Sequence, residues 1–246
     1  MAARALARAA PRLLNAHDSA QIDVELMGPE YGFSVDQLME LAGLAVAQVC
    51  FRQHPPSNGS NVLVCVGPGN NGGDGLVAAR HLSHFGYSPT VVYPKQPQKE
   101  LYLSLVKQCR MLDIPVEADW AAATRGSSWD LIVDSLFGFG FKGPPREPFP
   151  ALLSFICEQV DAGTAVLSVD VPSGWDVNGA SADSFHPATL VSLTSPKQCA
   201  GHFHGNHWLG GRFVPPRLAE KYELNLPEYP SDAGVVLLSS KGPSAQ

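Results

Sequence analysis

The order of its apolar segments constrains this chain more than any other feature. Short runs rich in Val, Ile and Leu, closed by glycine or an acid, alternate with longer segments whose apolar residues recur at helical spacing. The run at 61–66 (NVLVCV) is apolar after its first residue, which reads as a strand buried on both faces. Similar runs stand at 90–93, 131–134, 165–170 and 190–194, and helices are predicted over 74–85, 98–112 and 149–160. Ahead of them, Ser34-Val35-Asp36-Gln37 is a capping box. It opens a helix through Leu38, Leu41, Ala42, Leu44, Ala45 and Val49 that must end before Pro55. Such alternation predicts an α/β fold: a parallel sheet covered by helices on both sides.

At 246 residues the chain can bury a full core, and no repeat divides it, so residues 18–246 are expected to form one domain. The stretch 138–150 is the only linker candidate. Seventeen basic residues against 23 acidic ones exclude a general nucleic-acid surface, and no apolar run approaches a membrane span. Five single Cys within apolar runs read as reduced core thiols. Residues 1–17 differ: Arg4, Arg8 and Arg12 recur every fourth position with no acid before Asp18. That pattern suits a mitochondrial targeting segment, while a frayed terminus is the plainer reading. Asn58-Gly59-Ser60 is a glycosylation sequon, relevant only to a secreted chain.

In a parallel sheet, ligands bind beyond the carboxyl ends of the strands. Here those ends carry four polar or Gly-rich loops: 67–74, 134–143, 170–176 and 194–197. In the first, Gly67, Gly69 and Gly72 match G-x-G-x-x-G, a pattern whose backbone N–H groups can cradle phosphate. A dinucleotide dehydrogenase also needs an acid at the end of the second strand, and Pro94-Lys95 stands there instead. Asn70, Asn71 and Asp74 either cap the turn or supply oxygens to a hard cation or a ribose. Asp134 and Asp170 each close a strand and make a candidate acid/base pair. Pro172 stiffens the loop holding Ser173, and Lys142 in the Gly138-Phe139-Gly140-Phe141-Lys142-Gly143 loop can meet an anion. His202, His204 and His207 lack an acid or Cys at ligand spacing, which argues against zinc. Pro172-Ser173-Gly174 is not a nucleophile elbow.

Over about 20–229 the chain resembles the YjeF N-terminal domain family of NAD(P)H-hydrate epimerases. The likeness is carried by the string 33–43, the 67–75 loop, Val133-Asp134, and the segments 138–143, 169–177 and 209–215. It implies a Rossmann-like three-layer α/β/α fold and one potassium ion per subunit, held by Asn71, Asp134 and Ser173. It implies substrate contacts from Asn70, Asn71, Gly72, Gly73 and Asp74, from Gly138, Phe139, Gly140, Phe141, Lys142, Gly143 and Pro144, and from Asp170. Pro144 stands where close animal relatives in the family usually carry Asp, and Trp208 where Tyr is common.

The expected activity is exchange of the R and S epimers of hydrated NADH and NADPH (NADHX and NADPHX), with Asp170 as the acid/base. The expected partner is a separate dehydratase that consumes the product. A homodimer is expected too, in the mitochondrion, with cytoplasmic or secreted alternatives. The competing reading is a binding protein on the same fold, with an apolipoprotein such as apolipoprotein A-I as its partner. Retention of Asn71, Asp134, Asp170 and Ser173 together favours the enzyme.

Overall fold

The computed structural model describes residues 10–179 and 184–240. Its frame is one sheet of eight strands. In chain order these are β1 (Asn61–Val66), β2 (Ser88–Val92), β3 (Val116–Glu117), β4 (Leu131–Ser135), β5 (Ala165–Val169), β6 (Thr189–Leu193), β7 (Asn206–Gly210) and β8 (Val235–Ser239). They lie in the order β3-β2-β1-β4-β5-β6-β7-β8, parallel except for β8, which runs antiparallel to β7. The helices are α1 (Ala16–Leu26), α2 (Val35–Gln53), α3 (Asn70–His84), α4 (Glu100–Arg110), α5 (Trp120–Thr124), α6 (Phe149–Asp161) and α7 (Pro216–Lys221). Beyond β1 the order turns from β2 on one side to β4 on the other, and that reversal opens a crevice.

The central strands are buried on both faces, as their mostly apolar runs require. One layer packs α2, α3 and α4 on the sheet, and the other packs α6. The Ser34 capping box forms as the sequence predicts, with Ser34 Oγ accepting from Gln37 N–H and Gln37 Oε1 from Ser34 N–H. Cys50, Cys65, Cys109 and Cys199 are buried free thiols and Cys157 is half-buried.

Several elements differ from the sequence expectation. Helix α3 begins at Asn70 rather than Asp74, so the Asn-Gly segment is its first turn and not a loop before it. Asparagine and glycine are weak helix formers, but packing overrides propensity here. A Cβ on Gly72 would lie 1.9 Å from the Gly67 carbonyl oxygen, and one on Gly67 1.7 Å from that of Leu136. Only glycines let the helix start so close to the strand ends. The glycine-rich histidine segment holds strand β7, where His207 is buried against Ser192 Oγ at 2.9 Å. Burial lowers the His207 pKa to about 4, while His202 and His204 are exposed, and no metal-ligating cluster of His, Cys, Asp or Glu occurs among the described residues. The linker candidate 138–150 is a loop that lines the crevice and leads into α6.

Of the candidate targeting segment, residues 1–9 lie outside the described residues. Residues 10–17 include fully buried Leu14, whose N–H donates to Pro196 O at 2.8 Å, and Arg12, which donates to Tyr222 O at 2.7 Å.

Candidate active site

A cavity of about 670 Å³ opens over the crevice. Its floor is the start of α3 and the residues that follow β4, β5 and β6; α1 and α2 form one wall and the 138–147 loop another. Asn70, Asn71, Asp74, Asp170 and residues 138–144 all line it. Gly72 and Gly73 form the buried first turn of α3 behind Asn70 and Asn71. Asn70 is fixed by Tyr102 of α4, whose hydroxyl donates to Asn70 Oδ1 at 2.8 Å. Phe137 and Phe141 stack at 3.9 Å and stiffen the loop. Lys95, Lys142 and Arg146 add positive charge along the lining, beside Glu147.

The two strand-end acids are housed differently. Asp134 is fully buried, its Oδ1 accepting from Ser173 Oγ at 2.6 Å and its Oδ2 from Ser168 Oγ at 2.8 Å and Ser173 N–H at 2.9 Å. Burial raises its pKa in spite of those bonds, and it has no ion-pair partner among the described residues. Ser173 Oγ also accepts from Phe137 N–H at 3.1 Å. Asn71 lies beside Gly138, and its Nδ2 is buried without a hydrogen-bond partner.

Asp170 meets a lysine. Its Oδ1 receives Lys197 Nζ at 2.5 Å, with Lys197 only 2% exposed. The same ammonium donates to Leu193 O at 2.8 Å and Ser195 O at 3.2 Å, so its three protons are placed. Oδ2 of Asp170 has only a long contact, 3.4 Å, from Phe139 N–H. Asp170 and Thr194, at the ends of neighbouring strands, both sit at positive φ, 67° and 65°. A β-branched residue there is strained, and such strain gathers at functional rims.

Two more acids face this space. Asp74 is buried on α3, and desolvation, reinforced by Asp170 and Asp23, lifts its pKa well above the carboxylate range. Asp23 comes from α1, which the sequence reading did not identify. Lys197 also went unassigned there, because a lone lysine past a strand looks like any surface cation. A basic residue at the end of a buried strand beside a loop acid was the available signal.

The fold and site define a doubly wound α/β domain with a ligand crevice at its switch point. The sequence signature described as YjeF-related protein N-terminus matches residues 35–199, and the chain belongs to that family. It is 50% identical over 236 residues to a protein of Ajellomyces capsulatus named NAD(P)H-hydrate epimerase, covering 94% of this chain and 97% of that one. A Neurospora crassa protein of the same name is 52% identical over 223 residues, with coverage of 89% and 92%. The crystal structure of the yeast protein ynu0, YNL200c, superposes with a TM-score of 0.87 at 43% identity, over 92% of this chain and 99% of that one.

Proposed function

We propose that this protein is an NAD(P)H-hydrate epimerase, an isomerase that exchanges the R and S forms of hydrated NADH and NADPH. The near full-length likeness to curated epimerases carries the reading. Asn70, Asn71, Asp74, Asp170 and residues 138–144, all expected from sequence, line one cavity, which supports it.

The hydrated carbon bears a hydroxyl next to the ring nitrogen, so it is a hemiaminal. The nitrogen lone pair expels the protonated hydroxyl as water, leaving an iminium, and water adds back to either face. The reaction needs groups that give and take a proton and negative charge beside the cation. Asp170 suits both: its Oδ1 is paired with the Lys197 side chain, and its Oδ2, with only a long contact, is open to the reacting hydroxyl. Asn70 and the first turn of α3 orient the ring, while Lys142 with Lys95 and Arg146 receives phosphates.

Asn71, Asp134 and Ser173 fit a hard monovalent cation. Asp134 is a buried carboxylate with no basic partner among the described residues, and the Asn71 amide has an orphaned end. Turning that amide presents its oxygen in place of its nitrogen. A potassium ion there would neutralise Asp134 and tie the start of α3 to the Ser173 loop. We further propose a separate dehydratase as consumer of the product, a homodimer, and a mitochondrial location.

The test is interconversion of R- and S-NADHX by the purified protein, in potassium and in choline buffer. Rapid equilibration that weakens without potassium is the expected result. No acceleration over the spontaneous rate would overturn the enzyme.

A further inference from the structure

Epimerisation crosses a plane: the hydroxyl leaves one face of the ring and water returns to the other. One carboxyl beside a ring held in place serves only one face, so the exchange needs a second group that handles protons. Helix α1 presents Ser19 and Asp23 to the cavity, four residues apart on one face, with Met27 just past its end and Leu14 ahead of it. The Ser19 hydroxyl is bound to Asn15 O at 2.9 Å, and Leu14 and Met27 are apolar. Asp23 is therefore the group on this wall that can exchange a proton. Its carboxyl makes no hydrogen bond among the described residues. The wall is rigid, because Ile22 and Leu26 on the other side of α1 are buried with Leu218 and Leu224.

We propose that Asp23 is a second catalytic residue of the epimerisation, handling the proton on the face of the ring opposite the one served by Asp170. The proposal rests on the epimerase reading. In one direction, protonated Asp23 gives its proton to the departing hydroxyl. The C–O bond breaks, the nitrogen lone pair forms the C=N bond, and water leaves. Water then adds to the other face, the C=N electrons return to nitrogen, and the released proton goes to Asp170. The reverse direction runs with the two roles exchanged. One proton passes from Asp23 to Asp170 in the forward direction, and solvent in the open cavity returns it between turnovers.

The charges around Asp23 support this division. Lys197 and Asp170 face it from the strand ends and Asp74 from α3. Lys95, Lys142, Arg146 and Glu147 line the same cavity from the loops. On its own helix, Asp18 and Glu25 are paired with Arg12 and Lys221. Burial, opposed by Lys197 and helped by Asp170, raises Asp23 to about 6. A group titrating there can serve as donor and acceptor near neutrality.

The experiment compares wild type, Asp23→Asn and Asp23→Glu in the interconversion of R- and S-NADHX across about pH 5 to 8.5, with NADHX binding and the urea midpoint measured on the same samples. In wild type, the rate above the spontaneous one should fall as pH rises through about 6. Asp23→Asn should lower it about 100-fold, remove that pH dependence and keep binding and midpoint; Asp23→Glu should recover part of the rate. An Asp23→Asn protein with the wild-type rate and pH profile overturns the proposal. So does a loss explained in both variants by weaker NADHX binding or a lower midpoint. Wild type that accelerates nothing at any pH overturns the epimerase reading itself, before any variant is compared.

Discussion

Asp134 and Asp170 stand at the ends of adjacent parallel strands, both buried, yet the fold meets their charges in opposite ways. Asp170 carries its own cation, since Lys197 donates to it from 2.5 Å inside the protein. Asp134 receives hydroxyl and N–H donors but no positive side chain among the described residues. Hydrogen bonds hold a carboxylate in place without cancelling its charge, so burial still raises the pKa of Asp134. Two acids that look alike in sequence thus divide the work. One is paired with the protein's own cation, and the other has no such partner among the described residues.

The sharpest way to break this contrast is to remove the internal cation. Lys197→Met leaves Asp170 buried and unpaired and should cost about 3–5 kcal/mol in urea unfolding. Adding Asp170→Asn should restore most of that loss, whereas adding Asp134→Asn should not. The external cation comes next. Replacing choline with potassium should stabilise wild type by about 1–3 kcal/mol, read as a rise in Tm, and Asp134→Asn should lose that rise. A variant that keeps it would place the ion elsewhere.

The pH response is smaller. In choline, the raised pKa of Asp134 gives stability that is fully present below the ordinary aspartate value of 3.8 and is lost as pH rises through its folded value. The decline in Tm with rising pH should therefore be shallower in potassium than in choline, and Asp134→Asn should make the two alike.

Much of this frame was legible. β1, β4, β5 and β6 are short, mostly apolar runs, a signal that survives without tertiary context. The rim followed, because strand ends in a parallel sheet share one edge. Strand β7, with the sequence NHWLG, hides its apolar face among a histidine, an asparagine and glycine, and it is a strand only because β6 and β8 flank it. Helix α1 has few apolar positions, and its burial comes from α7, some two hundred residues further along the chain. The site divides the same way. Motif residues from single loops could be read locally. The pairing of Lys197 with Asp170 spans 27 positions, and the approach of Asp23 depends on where α1 docks. A one-dimensional pattern carries neither fact.

The anchoring of α1 bears on how the protein is made. Leu14, Ile22 and Leu26 form one cluster with Leu218 and Leu224, and the Arg12 N–H donates to Leu224 O at 3.0 Å. On the ribosome, the first helix has no place to settle until nearly the whole chain has emerged. The parallel strands and their glycine turn can assemble before then, but the wall that carries Asp23 closes only when Leu218 and Leu224 arrive. Completion of the cavity thus waits on residues 218–224, and a nascent chain shorter than that presents the rim without this wall.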